Sequence, residues 1–361
     1  MMKDEYYMKI ALELAEASQG QTSPNPVVGA VIVKNGEIVG LGSHLKAGEH
    51  HAEIHALNMA GERARGGTIY VTLEPCSHFG KTPPCADAVI SAGIVKVVIA
   101  STDSNPLVAG KGIQRLKNAG IEVVTGICEE EARRLNESFF YYMKHHIPYV
   151  TLKHAVTLDG KTATKTGHSK WITSELSRKD VHNDRGRHDA ILVGIQTVMM
   201  DDPSLTNRDG DNGRQPIRIV LDTHLKMPLD KKLVNDGESP TWIFTGSDVS
   251  DEKVAAFKNK PVQICKLSQP TIDIKELLVV LGQKGITSLY VEGGQAIHSS
   301  FLKSGKVNRL VTYIAPKIVG GIDAPSMFTD LQITNMNDAI SLEFEHVEQI
   351  GNDIKMTSIL K

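Results

Sequence analysis

The chain has 361 residues, 41% hydrophobic and 23% charged, a composition that fits a soluble globular protein with two cores rather than one. Its 40 basic and 42 acidic side chains are spread along its length for a net charge of −2, which excludes a general phosphate-backbone or membrane-surface binder. Met1–Tyr7 hold Lys3, Asp4 and Glu5 with no apolar h-region, no apolar run approaches the ~20 residues of a membrane span, and four cysteines are no disulfide scaffold. A cytoplasmic protein whose cysteines are ligands or buried thiols is expected, with no nucleic-acid or membrane partner.

Residues 4–18 place Tyr7, Met8, Ala11, Leu12 and Ala15 at helical spacing, and Ser23-Pro24-Asn25-Pro26 ends that helix. Val27–Lys34 reads as a strand, Asn35-Gly36 as a two-residue hairpin turn and Glu37–Gly42 as its partner. Helices are predicted near 52–63, 85–92 and 112–119, strands at 68–73, 95–100 and 121–125, and one longer helix at 130–144. This alternation predicts a layered α/β domain.

His145-His146-Ile147-Pro148 breaks the pattern without any Gly/Ser-rich or Pro-rich run, so a tight joint between residues 1–146 and 147–361 is expected there. Beyond it, strands are predicted at 149–155, 190–193, 217–221, 242–245 and 288–291, and helices at 174–185, 251–258, 274–281 and 295–303. Long strands near 309–315 and at the C-terminus should complete a mixed sheet.

His51-Ala52-Glu53, Glu74-Pro75-Cys76 and Pro83-Pro84-Cys85 carry the most informative chemistry. One imidazole and two thiolates make a zinc site that leaves its fourth position to water. Zinc lowers the pKa of such a water from about 15.7 to about 7, which makes hydrolysis of an amidine-like carbon feasible at neutral pH. Glu53, two residues from His51, reaches that water without binding the metal and acts as the proton shuttle. A structural zinc would use four protein ligands, with His50 or His78 as the fourth. The order His-Ala-Glu-Ile-His is not the metalloprotease His-Glu-x-x-His, so His55 reads as a packed helix residue. Cys128 and Cys265 read as buried thiols.

These residues resemble the cytidine-deaminase superfamily, with one departure: most members have two residues between the cysteines, and here there are eight, Ser77 to Pro84. That expanded segment, with Thr72-Leu73-Glu74, Thr22-Ser23-Pro24-Asn25-Pro26-Val27-Val28-Gly29 and Asp103-Ser104-Asn105-Pro106-Leu107-Val108-Ala109-Gly110-Lys111-Gly112, is similar to the deaminases of the bifunctional riboflavin-biosynthesis family. The resemblance implies a three-layer cytidine-deaminase-like fold and loss of the 2-amino group of 2,5-diamino-6-ribosylamino-4(3H)-pyrimidinone 5′-phosphate. It also implies a pocket lined by Asn25, His44, Lys81, Asp103 and Asn105.

The second half has no Gly-x-Gly-x-x-Gly, so no Rossmann dinucleotide site is indicated. Ser288–Val291 runs instead through Glu292 into Gly293-Gly294-Gln295, a strand, two glycines and a helix start whose N–H groups suit phosphate. With Leu158-Asp159-Gly160-Lys161, Ser169-Lys170-Trp171-Ile172-Thr173 and Asp201-Asp202-Pro203-Ser204-Leu205-Thr206, this half resembles the reductase domain of the same family, similar in fold to dihydrofolate reductase. The resemblance implies NADPH held by Ala155, Trp171, Thr197, Asp201, Thr223 and Gly293-Gly294-Gln295. It places Ser169, Arg185, Leu205, Arg208 and Glu292 on the substrate, with Lys153 beside them. A guanidinium at Arg185 or Arg208 matches a 5′-phosphate, and Asp201, Glu292 and Lys153 are all candidates for the proton donor that hydride addition needs. Zinc, NADPH and small phosphorylated pyrimidines are thus the expected partners, and a homo-oligomer is expected. The alternatives are a nucleic-acid or free-nucleoside deaminase with a second domain of unrelated role and a non-catalytic zinc-stabilised ligand-binding protein. Neither accounts for both halves, and Glu53 argues against the second.

Overall fold

The computed structural model describes residues 2–77, 83–103, 110–208, 210 and 214–361. The chain divides into two compact units, Met1–His146 and Ile147–Lys361.

In the first unit β1 (Gly29–Lys34), β2 (Glu37–Ser43), β3 (Thr68–Leu73), β4 (Lys96–Ser101) and β5 (Glu122–Thr125) form one sheet in the order β2-β1-β3-β4-β5. The β1–β2 hairpin turns at Asn35-Gly36 with φ of 52° and 85°, the two left-handed residues such a turn requires. Among the described residues six α-helices accompany the sheet: α1 (Met2–Glu16), α2 (Ala52–Ala60), α3 (Cys85–Ser91), α4 (Lys111–Asn118), α5 (Glu129–Leu135) and α6 (Glu137–His145). Alternate strand residues feed opposite faces. Ala30, Ile32, Ile69, Val71, Val97 and Ile99 pack with α2, α3 and α4, while Val31, Val33, Tyr70, Val98 and Ala100 pack with α1 and α5. The result is the expected three layers.

One predicted helix is two. Asn136 interrupts residues 130–144 because its buried side chain serves the first layer instead: its Oδ1 accepts from Val27 N–H at 2.8 Å and its Nδ2 donates to Val27 C=O at 2.9 Å. The helix predicted over 52–63 ends at Ala60 and finishes in a 3-10 turn, Gly61–Ala64.

The second unit begins with β6 (Tyr149–Thr157) and α7 (Glu175–Arg187), followed by β7 (Ala190–Gly194) and α8 (Ile195–Asp201). Next come β8 (Ile217–Leu221), α9 (Lys232–Asn235), β9 (Thr241–Thr245), α10 (Asp251–Ala255) and β10 (Val262–Lys266). It closes with α11 (Ile274–Gln283), β11 (Ser288–Val291), α12 (Gln295–Ser304), β12 (Arg309–Ala315), β13 (Leu342–Ile350) and β14 (Asp353–Leu360). The nine strands run β10-β9-β8-β7-β11-β6-β12-β14-β13, parallel as far as β12 and antiparallel in the final hairpin, so the sheet is mixed. Sequence periodicity does not reveal α8, α9 or β10. The two helices have seven and four residues, too few to display a period, and β10 is a half-exposed edge.

Beneath the sheet, His154 of β6 lies ring to ring with His298 of α12 at 4.0 Å, with Phe328 beyond at 4.9 Å. Burial pushes His298 down to about 4 and holds His154 well below the ordinary imidazole value, with His298 adding to the effect on His154. Both rings are therefore buried neutral. The unfolded chain takes up their protons from pH 6.5 downward while the folded chain does not, so stability is full above pH 6.5 and falls toward pH 4. His298 alone accounts for a loss of about 3 kcal/mol across that window. Urea unfolding between pH 7 and pH 4 should show it, and His298→Leu should flatten the acid limb; an unchanged limb would remove this pair as its cause.

Candidate active sites

His51 sits at the N-cap of α2, and Glu53 follows in its first turn. The helix can lie this close because β2 is glycine there: a Cβ on Gly40 or Gly42 would collide with the carbonyl oxygens of Ala56 or Ala52. Cys76 follows β3, and Cys85 opens α3 behind Pro84. His51 Nδ1 lies 3.6 Å from Cys76 Sγ and 3.3 Å from Cys85 Sγ, and the three donor atoms all fall within 4.8 Å of one another. The Cys85 N–H donates to Cys76 Sγ at 3.3 Å. Hydrogen bonding from Cys85 brings the Cys76 thiol down to about 4, and the same contact, with burial, pushes Cys85 up.

Two soft sulfurs and an imidazole are the donor set zinc prefers, and three of them leave a position open. His50, the alternative fourth ligand, is outside the group; its ring instead faces His55 at 6.0 Å. Glu53 is 3% exposed, and burial pushes its carboxyl up to about 7, where it can both take and give a proton near neutral pH.

Of the predicted pocket, Asn25 and His44 are brought to this place. Asn25 Nδ2 lies 3.2 Å from His44 Nε2, and the His44 ring stands edge-on to His51 at 5.2 Å. Asp103 is tied to the strand that leads to Cys76, its N–H donating to Glu74 Oε2 at 3.4 Å. Glu74 also accepts from the N–H groups of Gly110, Gly112 and Ile113, a clamp the sequence reading did not single out. Lys81, Asn105 and His78 lie outside the described residues. Cys128 and Cys265 are half-buried rather than fully buried.

In the second unit the predicted cofactor residues gather at the C-terminal ends of neighbouring parallel strands. Ala155 is near the end of β6, Thr197 and Asp201 are in α8 after β7, Thr223 follows β8, and Gly293-Gly294-Gln295 joins β11 to α12. This is where open α/β sheets bind ligands. Gly293 must be glycine because Ile297 occupies the space of a Cβ, whereas Gly294 faces open space and heads the ten-residue α12 without a side-chain cap. That cradle of helix N–H groups fits a phosphate of NADPH. Trp171 is 63% exposed with Arg178 stacked 4.6 Å over its ring, and Lys317 Nζ donates to the carbonyls of Trp171 and Ile172 at 2.8 and 2.7 Å. Asp201 pairs with Lys170 at 3.2 Å.

The substrate residues divide. Arg185 does not present a free fork: its Nε and Nη2 donate to the two oxygens of Glu292 at 2.7 and 3.0 Å, and Nη1 donates to Thr206 C=O at 3.1 Å. Lys153 Nζ approaches the same carboxylate at 3.7 Å. Burial opposes ionisation of Glu292, but Arg185 and Lys153 hold its carboxyl down to about 2. Arg218, fully buried, donates to Ser204 C=O at 3.1 Å, so two arginines pin the strand of backbone around Leu205, itself at φ 51°. Arg208 is exposed, Ser169 is half-buried, and the Arg208 N–H donates to His182 Nδ1 at 3.3 Å.

Together the fold and the two sites define a cytidine-deaminase-type zinc domain followed by a dihydrofolate-reductase-like reductase domain. The family model "Cytidine and deoxycytidylate deaminase zinc-binding region" matches residues 1–101, and "RibD C-terminal domain" matches residues 148–356. The riboflavin biosynthesis protein RibD of Bacillus amyloliquefaciens is 51% identical over 358 residues, 99% of this chain and 96% of that protein. RibD of Acinetobacter baumannii has a solved structure with TM-score 0.90 and 40% identity, covering 100% of this chain and 99% of that one. A diaminohydroxyphosphoribosylaminopyrimidine deaminase/5-amino-6-(5-phosphoribosylamino)uracil reductase from Thermotoga maritima follows at TM-score 0.87 and 36% identity, covering 100% and 99%. The chain belongs to the riboflavin biosynthesis protein RibD family, bifunctional enzymes with a zinc-binding deaminase domain and an NADPH-using reductase domain. Among the described residues no helix is long and apolar enough to cross a membrane.

Proposed function

We propose that residues 1–146 deaminate 2,5-diamino-6-ribosylamino-4(3H)-pyrimidinone 5′-phosphate to 5-amino-6-(5-phosphoribosylamino)uracil, releasing ammonia. Residues 147–361 then reduce the ribosyl group of that product to ribityl. The observation that carries this reading is the convergence of His51, Cys76 and Cys85 within 4.8 Å, beside a carboxyl that burial keeps near neutrality.

In the first site His51, Cys76 and Cys85 would hold zinc, which when bound supplies the Lewis acidity that makes water a nucleophile at neutral pH. Glu53 would take one proton from that water and pass it to the ring nitrogen, then carry the second, from the added hydroxyl, to the amino group that leaves as ammonia, the task its raised pKa suits. Asn25 and His44 hydrogen-bond the substrate from beside His51, and the family resemblance adds Asp103, Lys81 and Asn105 as substrate-binding residues.

In the second site NADPH, when bound, supplies the hydride. Ala155, Trp171, Thr197, Asp201, Thr223 and Gly293-Gly294-Gln295 contact it, while Ser169, Leu205 and Arg208 face the substrate. Arg208 is the better phosphate partner, because its guanidinium is exposed and the Arg185 fork is engaged by Glu292. Lys153 is the favoured proton donor among the three candidates: it is an ammonium 3.7 Å from a carboxylate already held in its ionised form.

The reading extends to a cytoplasmic homo-oligomer. Edge strand β13 supports the oligomer, with Phe344 and Val347 62% and 56% exposed.

The decisive experiment assays each step separately, before and after a strong chelator, with circular dichroism to confirm that the protein stays folded. Deamination should stop, and reduction of supplied 5-amino-6-(5-phosphoribosylamino)uracil should continue. Equal loss of both steps in folded protein would end the two-site reading. Sedimentation of the same preparation reads the oligomer, since a species of 39.3 kDa would be a lone chain.

A further inference from the structure

Strand pairing puts a row of polar side chains on one face of the second unit's sheet. Val311 of β12 lies opposite Lys153 of β6, Tyr313 of β12 lies opposite Lys355 of β14, and Tyr290 of β11 lies opposite Thr151 of β6. Glu292 and Tyr313 follow two residues after Tyr290 and Val311, so Lys355, Tyr313, Lys153, Tyr290 and Glu292 share a face across four adjacent strands. Helix α7 covers this face. Its residues 180, 181, 184 and 185 recur at helical spacing, and Val181 packs against Tyr290, Val311 and Tyr313.

The same stripe of α7 also carries two carboxylates inward. Tyr290 Oη donates to Asp184 Oδ2 at 3.3 Å, and Tyr313 Oη lies 3.2 Å from the same oxygen and 2.6 Å from Asp180 Oδ2. Lys355 Nζ meets Asp180 at 2.6 Å and Asp184 at 3.8 Å. The Tyr313 ring lies between the two lysines, 6.0 Å from Lys153 Nζ and 5.5 Å from Lys355 Nζ. Three cations, Arg185, Lys153 and Lys355, thus meet the inward anions Glu292, Asp184 and Asp180, with the more exposed Glu348 of β13 4.0 Å from Lys355 at the rim. Removing Asp184 withdraws a negative charge from the part of the set nearest Lys153.

We propose that Asp184 is a positioning residue of the reductase site: its carboxylate balances the Lys153 ammonium and anchors the two phenols that wall it. The step from that electrostatic role to reduction rests on the reading of Lys153 as proton donor. Lys153 is faced by Glu292 just after β11, by Arg185 and Asp184 from α7, and by Tyr313 from β12. Tyr290 of β11 shares its face of the sheet, and His188, the C-cap of α7, bonds to Thr151 two residues before it. Lys355 lies beyond on β14, and His298 acts from α12 across the sheet. Burial lowers the Lys153 ammonium below its ordinary value, Glu292 and Asp184 raise it, and Arg185 lowers it.

The test separates the two ideas. In full-length protein carrying 13C-labelled lysine, with Lys153→Met to assign the resonance, Asp184→Asn should lower the titration midpoint of Lys153 by about one pH unit. The alkaline limb of the reductase pH profile should move down with it, while deamination is unchanged. Lys355→Met removes a cation from the same face and should shift both readouts upward, which preserves the test if the asparagine variant does not fold. A Lys153 midpoint that stays put in whichever of the two variants folds overturns the proposal. A midpoint that moves while the alkaline limb does not upholds the electrostatic role of Asp184 and removes Lys153 as the proton donor.

Discussion

Glu53→Gln is expected to keep zinc and fold and to lose deamination by at least about a thousandfold, within the range a positioned acid–base group contributes. The side chain is buried in the first turn of α2, beside the donor cluster and not part of it. Glutamine preserves its shape, and removes the group that moves protons. Metal analysis beside the deaminase assay checks both halves of the expectation, and reduction serves as an internal control. Zinc loss in this variant would make Glu53 a ligand. Cys76→Ser and Cys85→Ser should behave in the opposite way, losing metal and activity together, because a serine hydroxyl is a poor zinc ligand at neutral pH.

Arg185→Met should be costly to both stability and reduction. Its guanidinium makes two charge-assisted bonds to Glu292, and both side chains are largely buried, at 14% and 10% exposure. Truncating Arg185 leaves the buried Glu292 carboxylate with only the longer Lys153 contact at 3.7 Å, a loss of about 3 kcal/mol, the lower end of the range for breaking a buried pair. Reduction should fall on the order of a hundredfold as Glu292 and the Thr206 carbonyl lose their anchor. Adding Glu292→Leu removes the stranded charge, so the double variant should regain much of the stability without regaining reduction. Urea unfolding and the separate reductase assay read the two effects. A double variant no more stable than Arg185→Met alone would show that the pair is not energetically coupled.

Much of the architecture was legible because its signals are local. Asn35-Gly36 specifies a hairpin through its two left-handed residues, and β3, β8 and β11 are short runs rich in β-branched, aliphatic and aromatic residues bounded by breakers. The joint at residue 147 shows as a Pro-interrupted change of pattern, and it coincides with the division into compact units. The grouping of His51, Cys76 and Cys85 was legible for a chemical reason: few roles require a His-x-Glu and two cysteines that each follow proline. What local patterning could not convey were short or interrupted elements. α8 and α9 are too brief to show a period, and Asn136 divides a helix by bonding to Val27, 109 residues away.

The sequence by itself determined the two α/β halves, the hairpin, the grouping of His51, Cys76 and Cys85 as a candidate metal site with Glu53 near it, and the glycine turn before α12. Each depends on neighbours in the chain or on residue types with few alternative uses. Only the tertiary structure decided that β11 lies between β7 and β6, and that order brings Glu292 within reach of Arg185, 107 residues away, and of Lys153. It also turned Asp180 and Asp184 of α7 inward onto Tyr290, Tyr313 and Lys355. The physical reason is that strand order and the face a helix buries are set by the packing of the whole sheet, and no short window of sequence contains that information.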